Sequence, residues 1–509
     1  MDSFWQNLFV MKKMENKKSF EIIFDKDASG PFIKIKSHSK GSHYAIHRNY
    51  IKRNQLGLEE NLRISDEIKD LLINSLNVKG ITEGFILHTD EYDNFIPLEN
   101  QNEKADPKLI RHKLSSKETN FTSTGEKLNY HWPVFKKLQE TGFGSIIRAT
   151  LTLHQVCASK CQFCSTINRN RQDSISLEEA KSFVKKLYFE QADFNRKNFS
   201  KYNEEYKKIS GSDIRLKSII LSGGGQPNLW PHFTELVNWL SELDLDLGLI
   251  TNGFPKNVPD DIYNKFKWVR LSITPEDASP FYPEKRFDLQ RIPQCLIDNK
   301  NTTFGLSYVY GPWTSVGILE RINQAINNWN LDYVRFLTDC NLGRNEQLRA
   351  HKVLAERLHK LGLVDEEGNS IGKIFHQLKY HGNQSEANEL WDQGKCFLQT
   401  YNVFWDTTGH EENGESYCYP CDSVTVLAED TSNVQAAREF DGNKWGTVKN
   451  TQVEKLFNEQ WKAFFDPRKN CSACLFMKNN HTVKRLLNLK TENFEDMDLS
   501  NKPMHINFP

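Results

Sequence analysis

The 509-residue chain has no excess of charge of either sign, since it holds 66 lysines and arginines against 66 aspartates and glutamates. The total charge therefore gives no basis for binding nucleic acid or an acidic membrane surface. The chain also lacks a stretch of about 18 apolar residues, and its start has no basic segment followed by a long apolar run. We therefore expect no nucleic-acid partner and no membrane partner, and we predict a cytoplasmic protein.

Three cysteines lie close together in the sequence. Cys157, Cys161 and Cys164 follow the apolar, β-branched run 146–156, which is typical of a buried strand. The thiols are therefore predicted on the loop that leaves the strand's carboxyl end, where α/β sheets keep their chemistry. Thiolates are the usual ligands of iron-sulfur clusters, and a cubane normally takes four of them. Three local cysteines would leave one iron open, as catalytic metal sites leave one ligand position open.

The spacing of these cysteines, with Phe163 just before the last one, resembles the signature of the radical S-adenosylmethionine (radical SAM) enzymes. The resemblance implies that the open iron of a 4Fe-4S cluster chelates S-adenosylmethionine. An electron, supplied by a donor such as flavodoxin or ferredoxin, would then cleave it to methionine and a 5'-deoxyadenosyl radical. Two other interpretations stay open: a zinc site that adds His154 to the three thiols, and unrelated buried cysteines.

From residue 146 onward, strands and helices alternate, which predicts parallel βα units. Helices are predicted over 176–187, with a capping box formed by Ser176 and Glu179, and over 316–326 and 346–360. The pattern resembles the radical SAM core, and the predicted fold class is α/β: a partial (β/α)6 TIM-like barrel with an N-terminal α+β extension and a small C-terminal cysteine-rich domain. The six predicted strands are 146–156, 218–221, 246–253, 268–274, 303–309 and 333–337.

Gly223, Gly224 and Gly225 follow the second predicted strand, where glycines let a ligand approach the backbone. A tight turn is the alternative explanation. One βα unit after the cysteine loop, the run resembles the motif that binds the amino group of S-adenosylmethionine, although Gln226 stands where the family commonly has Glu. By the same resemblance, Asn252 and Ser272 are candidates for binding the ribose and methionine ends of the cofactor; strand-end hydrogen bonding is the alternative.

Five further cysteines lie toward the end of the chain and supply two Cys-x-x-Cys pairs and an isolated partner: Cys396, Cys418, Cys421, Cys471 and Cys474. A structural zinc site is one interpretation. The arrangement, with the segment 414–421, also resembles the SPASM or shorter Twitch caps of radical SAM enzymes. Because the full seven-cysteine set is absent, the resemblance favours one auxiliary 4Fe-4S cluster, bound by Cys396, Cys421, Cys471 and Cys474, with Cys418 competing against Cys421. Cys295 and Cys340 are expected to be packed or inert.

The first 140 residues carry weaker patterns. Strands are predicted over 20–24 and 32–36 around a turn at 28–31, a helix over 64–73, and a polar linker or exposed loop over 98–127. No Asp-x-His-x-x-Gly run suggests a cobalamin-binding domain. The predicted domains are 1–140, an extension of unknown role; 141–365, the core; 366–485, the auxiliary-cluster domain; and 486–509, a tail.

The resemblance implies an enzyme that abstracts a hydrogen atom from an unactivated C–H bond. It slightly favours a peptide or protein substrate. A dehydrogenase, epimerase or lyase acting on a small sugar-like metabolite is the alternative within the family. A zinc-binding protein that recognises a partner is the hypothesis from another class.

Overall fold

A computed structural model gives the fold. Within residues 9–88 it describes the backbone of the strands. From residue 120 it describes 120–121, 123–158, 161, 164, 166, 170–253, 258–273, 294–298, 301–311, 314, 316–339, 344–365, 371–377, 396–407, 414–422, 448–461, 476–489, 499 and 502–509.

The described strands number seventeen and form three sheets. They are β1 (Phe9–Lys12), β2 (Ser19–Asp27), β3 (Gly30–Ser37), β4 (His43–Ile46), β5 (Asn54–Gln55), β6 (Glu59–Arg63), β7 (Gly84–His88), β8 (Arg148–Thr152), β9 (Ser218–Ser222), β10 (Asp246–Thr251), β11 (Trp268–Ile273), β12 (Thr303–Tyr310), β13 (Tyr333–Thr338), β14 (Ile374–Gln377), β15 (Asn402–Asp406), β16 (Tyr417–Tyr419) and β17 (Val448–Lys449).

The described α-helices connect and cover the strands of the largest sheet. They are α1 (Trp132–Thr141), α2 (Leu177–Lys185), α3 (Gln191–Asn198), α4 (Ser200–Ser210), α5 (Phe233–Ser241), α6 (Asp260–Tyr263), α7 (Gln294–Asp298), α8 (Val316–Asn328), α9 (Arg344–Lys360), α10 (Lys455–Asn458) and α11 (Met477–Leu487).

All six strands predicted after residue 146 are present as β8 to β13, side by side and parallel. The structure adds a parallel strand at each edge, β14 beside β13 and β15 beside β8. Strands β16 and β17 then extend the sheet in antiparallel fashion. The fold class is therefore mixed α/β with a large parallel sheet. Strand β15, which follows Cys396, lies next to β8, which precedes Cys157, in this sheet.

The three helices predicted after residue 146 are also present, and the first of them shows why the local sequence folds as it does. Ser176 Oγ accepts the N–H of Glu179 at 3.2 Å, and the Glu179 carboxylate accepts the N–H of Ser176 at 2.8 Å. This capping box satisfies amides that the first turn of α2 leaves without partners. The helix then buries Ala180, Phe183 and Val184 against the sheet.

The two faces of the parallel sheet differ in chemistry, because side chains alternate along a strand. On the outer face, apolar residues such as Leu221, Leu249 and Leu271 pack with helix residues in one core. We call the opposite side the inner face. It carries Thr150, Ile220, Ile250, Arg270, Ser272, Ser307 and Arg335.

In the N-terminal region, β2 and β3 form the predicted antiparallel hairpin, with Asp27 opposite Gly30 across the turn. The helix predicted over 64–73 lies outside the described residues. The predicted linker is wrong at its end: Thr124 and Lys127 are buried, and Lys127 lies in a 3₁₀ segment, Gly125–His131. Leu128 and Trp132 draw this segment into an apolar cluster, which the polarity of residues 98–127 did not reveal.

The last described segment, residues 502–509, packs against the amino-terminal ends of the parallel strands. Asn507 Nδ2 donates to Asp246 Oδ2 at 2.8 Å, and the ring of Phe508 meets that of Trp268 edge-on at 5.4 Å. Arg148 donates to the carbonyl oxygen of Pro509. The segment thus closes one end of the sheet. Among the described helices, none combines the length and the hydropathy that a membrane span requires.

Candidate functional site

The cysteine loop begins, as predicted, at the carboxyl end of β8. Before it, the N–H of Gln155 donates to the carbonyl oxygen of Asp173 at 2.9 Å. Cys157, Cys161 and Cys164 are all partly exposed. The N–H of Cys164 donates to the carbonyl oxygen of Cys161 at 3.1 Å, so these two residues lie in one tight turn. Three accessible thiols on one short loop form a donor set that suits an iron-sulfur cluster.

Two polar groups approach the sulfur atoms. Asn252 Nδ2 lies 3.9 Å from Cys157 Sγ, within reach of a hydrogen bond to sulfur, and Thr166 Oγ1 lies 3.5 Å from Cys164 Sγ. Hydrogen bonds to cluster sulfurs are one of the means by which a protein sets a cluster's potential. Asn252 was predicted as a cofactor-binding residue, and in the structure it lies beside Cys157, a predicted iron ligand. Thr166 was missed, because a lone threonine two residues after a cysteine has no distinctive pattern.

The glycine run packs directly against the stem of the cysteine loop, residues 154–156. The N–H of Gly225 donates to the carbonyl oxygen of His154 at 3.2 Å, and that of Gln226 donates to Val156 at 2.7 Å. A Cβ on Gly225 would lie 2.5 Å from the Val156 oxygen, and one on Gly224 would lie 1.8 Å from Gln155 Oε1. Close approach to the backbone of the stem therefore already requires glycine at position 225, whether or not a cofactor also lies against it, whereas the obstacle at position 224 is the end of the Gln155 side chain.

Behind the glycines lies a buried polar network. Gln226 Nε2 donates to Asn228 Oδ1 at 3.2 Å, and the same oxygen accepts the hydroxyl of Thr251 at 2.6 Å. This network ties the end of β9 to the end of β10. Within the described residues, Oε1 of the buried Gln226 has no hydrogen-bond partner. A cofactor's amino group is a donor that could satisfy it.

Ser272 lies on the inner face, one strand away from Asn252. Thr251 pairs with Leu271, so the next residues, Asn252 and Ser272, are level across the two strands. Continuing across the sheet, Ser272 pairs with Ser307, and Ser307 with Arg335. The register therefore groups two predicted residues with two that the sequence did not single out.

The zinc interpretation of the loop needs His154 beside the three thiols. The ring of His154 is buried, and its Nε2–H donates to the carbonyl oxygen of Gln226 at 2.6 Å. Within the described part of the chain, no three His, Cys, Asp or Glu side chains are grouped to hold one metal ion. A single ion needs each ligand within about 2.3 Å. A cubane offers each thiolate a separate iron, so it does not require the three sulfur atoms to meet at one point.

The second cysteine group separates into two environments. Cys396 and Cys421 are buried in one apolar cluster with Tyr401 and Phe476, whereas Cys418 belongs to the core that includes Trp405. Cys418 pairs with Trp405 across the β15–β16 ladder, and strand alternation turns it away from the other two. Burial raises the pKa of the Cys418 thiol well above its ordinary value, which keeps it neutral. Cys471 and Cys474 lie outside the described residues.

The two cysteine groups lie at opposite ends of the parallel sheet. Asn402, the first residue of β15, donates to the carbonyl oxygen of Pro420 at 2.6 Å and accepts from Arg148, the first residue of β8, at 2.7 Å. Cys421 follows Pro420, whereas Cys157 follows the carboxyl end of β8. The two ends of β8 are four residue steps apart, or about 13 Å at about 3.3 Å per step.

One buried contact joins the far end of β15 to the cysteine loop. Gln155 Nε2 donates to Asp406 Oδ1 at 3.0 Å and to Thr407 Oγ1 at 3.2 Å. All three residues are buried. The C-terminal part of the chain therefore helps to fix the stem of the loop, a role that no local sequence pattern announced.

Outside these groups, Cys295 behaves as expected for an inert thiol. Its Sγ donates to the carbonyl oxygen of Asp260 at 3.1 Å, and burial, with the nearby Asp260 carboxylate, raises its pKa to about 11. Cys340 lies outside the described residues.

Fold and site together define an α/β protein with a three-cysteine loop at the carboxyl end of a parallel sheet. No protein-family model matches the chain, and no curated protein gives a significant match. Among solved structures, it is similar to Streptococcus suis SuiB bound to the precursor peptide SuiA, with a TM-score of 0.39, 12% identity, and 83% of this chain and 86% of that chain covered.

Other similar structures are BtrN in complex with AdoMet and 2-DOIA, and methylornithine synthase, PylB. For BtrN the TM-score is 0.27 at 10% identity, with 67% of this chain and 91% of that chain covered. For PylB the TM-score is 0.27 at 13% identity, with 53% and 85% covered. These neighbours are radical SAM enzymes.

Proposed function

We propose that the protein is a radical SAM enzyme in which Cys157, Cys161 and Cys164 bind a 4Fe-4S cluster. When bound, the cluster would chelate S-adenosylmethionine at its open iron and supply the electron that cleaves it to methionine and a 5'-deoxyadenosyl radical. That radical would take a hydrogen atom from the substrate and leave as 5'-deoxyadenosine. The observation that carries the proposal is the set of three partly exposed thiols on one loop at the carboxyl end of β8.

The surrounding residues would position the loop and the cofactor. Gly225 lies in close backbone contact with the stem, Gly224 lies against the Gln155 side chain, and Asn252 would donate a hydrogen bond to the Cys157 thiolate. Gln226 offers a buried acceptor to the cofactor's amino group, and Ser272 lies level with Asn252. The protein's part is thus to orient the cofactor and exclude water, while the cofactor carries the chemistry.

We assign the auxiliary 4Fe-4S cluster to Cys396, Cys421, Cys471 and Cys474. Cys396 and Cys421 share one apolar cluster with Phe476, which follows Cys474 by two residues. The N–H of Phe397 also donates to Asn480 Oδ1 at 2.8 Å, so the start of α11 lies beside Cys396. Cys418 would be a packed thiol. Four protein ligands would leave this cluster no open iron, which suits electron transfer or structural support.

The favoured substrate is a peptide or protein, because the C-terminal cysteine pattern resembles caps found on peptide-modifying members of the family. A small sugar-like metabolite is the alternative, and flavodoxin or ferredoxin is the expected electron donor. Product analysis with candidate substrates separates these classes once cofactor cleavage is established.

The test is cofactor cleavage by anaerobically reconstituted, reduced protein without substrate. We expect slow formation of 5'-deoxyadenosine, detected by liquid chromatography and mass spectrometry. Cys161→Ala should abolish it, and Cys295→Ala, a thiol outside the site, should leave it unchanged. Undiminished cleavage in Cys161→Ala would place the reactive cluster elsewhere. A colourless protein with stoichiometric zinc and no iron after reconstitution would instead support the zinc-binding hypothesis.

A further inference from the structure

Strand β15 runs between the two cysteine groups. Cys396 lies shortly before its first residue, Asn402, and Asp406 is its last residue. All five residues of the strand are buried. It pairs with β8 on one side and with β16 on the other. The strand therefore begins near the predicted ligands of the auxiliary cluster and ends beside the stem of the cysteine loop.

The start of β15 is held by chain segments that carry two of these ligands. Cys396 directly precedes the buried 3₁₀ segment Phe397–Thr400, which leads into the strand. Asn402 Nδ2 donates to the carbonyl oxygen of Pro420 at 2.6 Å, and Cys421 is the next residue after Pro420. Metal binding orders the segments that supply its ligands. A cluster bound by both cysteines would therefore fix the start of the strand from two sides.

The strand is a stiff connection between its two ends. Trp405 is fully buried, and its ring stacks on that of Phe183 of α2 at 4.4 Å. Ladder bonds on both sides fix the register of β15, so one end shifts along the strand only if the other end shifts too. Close-packed interiors transmit strain because they are hardly compressible. A constraint on the start of β15 therefore reaches its end.

At the end of β15, Asp406 orients the side chain of Gln155. Gln155 Nε2 donates to Asp406 Oδ1 at 3.0 Å and to Thr407 Oγ1 at 3.2 Å. The carboxylate is the stronger of the two acceptors because it is charged. The Gln155 side chain also lies against the glycine run, since a Cβ on Gly224 would be 1.8 Å from its Oε1. Asp406 therefore acts on a residue of the loop stem that also touches the glycine run.

We propose that Asp406 is a positioning residue through which the auxiliary cluster strengthens S-adenosylmethionine binding. With that cluster bound, Cys396 and Cys421 would fix the start of β15, and Asp406 at its end would hold Gln155 and the stem of the cysteine loop. This inference rests on the proposed function and adds a structural role for the auxiliary cluster that requires no electron transfer. Coupling between two sites typically changes affinity by about 5- to 150-fold.

A double-mutant cycle tests this coupling. S-adenosylmethionine affinity is measured by calorimetry on anaerobically reconstituted wild type, Cys421→Ala, Asp406→Ala and the double variant. Each single change should weaken binding about fivefold or more. The double variant should bind no more weakly than the weaker of the two single variants, because both changes break the same connection. Asp406→Asn keeps an acceptor for Gln155, so its affinity should lie between those of wild type and Asp406→Ala.

Two control variants accompany the cycle. Cys418→Ala changes the other thiol of the same Cys-x-x-Cys pair. Asp332→Ala removes a half-buried carboxylate that accepts the N–H of Phe304 at 2.7 Å, near the amino-terminal end of β12. Both should keep wild-type affinity. Wild-type affinity in Cys421→Ala, losses that multiply in the double variant, or an equal loss in Cys418→Ala would overturn the inference.

A second measurement does not need Cys421→Ala to fold. The triple variant with alanine at Cys157, Cys161 and Cys164 should carry the auxiliary cluster alone. Its hydrogen exchange is compared before and after loading with iron and sulfide by mass spectrometry. Loading should slow exchange in peptides that cover 152–156 and 402–407, and leave 233–241 in α5 unchanged. Unchanged exchange over 152–156 would overturn the inference.

These outcomes are separable from the proposed function. A wild type that cleaves S-adenosylmethionine, beside a Cys421→Ala variant that binds it as tightly, contradicts only the coupling. A wild type that neither binds nor cleaves S-adenosylmethionine contradicts the proposed enzyme. The exchange measurement then still tests the coupling, because it needs neither the reactive cluster nor the cofactor.

Discussion

Replacing Gly225 by alanine should disturb the cysteine loop itself. The new Cβ would lie 2.5 Å from the carbonyl oxygen of Val156 and 2.6 Å from that of His154. A comfortable carbon–oxygen contact is about 3.3 Å or more, so the stem must move by roughly 0.8 Å. Both obstacles are backbone atoms, which cannot rotate away as a side chain can.

The cost can be estimated from the same contacts. Inserting a methyl group into a packed site costs about 1–3 kcal/mol. The shift would also strain the bonds from the N–H groups of Gly225 and Gln226 to the stem, at 3.2 and 2.7 Å, each with a net worth of about 0.5–1.5 kcal/mol. We therefore expect a local loss of about 2–4 kcal/mol, enough to lower iron binding at the neighbouring cysteines.

At Gly224 the obstacle is different. The Cβ would meet Gln155 Oε1, at the end of a side chain that can rotate if it gives up its bonds to Asp406 and Thr407. Gly224→Ala should therefore keep more iron than Gly225→Ala. Gly224→Val should weaken S-adenosylmethionine binding, and the iron that it retains should depend on how far the Gln155 side chain can move.

The assay is iron content and electron paramagnetic resonance after reconstitution, with S-adenosylmethionine affinity by calorimetry. The control is Gly211→Ala, because Gly211 has φ +78° and no neighbouring atom within 4 Å of its Cβ position. That change should strain the end of α4 and lower thermal stability while leaving iron and cofactor binding unchanged. Wild-type iron, spectrum and affinity in Gly225→Ala would refute the close-approach argument.

Three further predictions concern Cys418 and Cys421, the hydrogen bond between Gln155 and Asp406, and the packing of residues 502–509. Cys421→Ala should lose the auxiliary cluster, whereas Cys418→Ala should keep its iron and spectrum; the reverse result would overturn the ligand assignment. Asp406→Asn removes a charged acceptor from Gln155, so the spectrum of the loop cluster should change by electron paramagnetic resonance with little loss of auxiliary iron. Phe508→Ala should lower the free energy of unfolding by about 3 kcal/mol in denaturant titration, and Met504→Ala, an exposed control, by almost nothing; equal effects would contradict packing of the tail.

The strands of the parallel sheet were predictable because each is a short apolar, β-branched run between polar turns. Which strands lie next to each other in the sheet was harder to predict. Residues 402–405 pair with 148–151 across a separation of some 250 residues, and strand periodicity specifies which residues are buried but not which distant strand lies alongside. The contact between Gln155 and Asp406 follows from that pairing and was missed for the same reason.

The spacing of Cys157, Cys161 and Cys164 in the sequence was sufficient to predict that the three thiols lie on one loop, since residues so near in the sequence stay close whatever the fold. Spacing could not decide whether Cys418 or Cys421 is the ligand of the auxiliary cluster, because both belong to the same Cys-x-x-Cys pair. The structure separates them by strand direction and by the apolar cluster each one joins. Residues 486–509 were predicted only as a tail, because a short segment without a regular apolar pattern gives no indication of where it packs.

In the proposed enzyme, the cluster bound by Cys157, Cys161 and Cys164 has an iron open to S-adenosylmethionine. The most direct measurement is the electron paramagnetic resonance spectrum of the reduced protein before and after adding S-adenosylmethionine, combined with iron analysis. Wild type should carry about eight irons, two cubanes, and its spectrum should change on addition. The triple alanine variant should keep about four irons and show no change. An unchanged wild-type spectrum, or an undiminished response in the triple variant, would contradict the account.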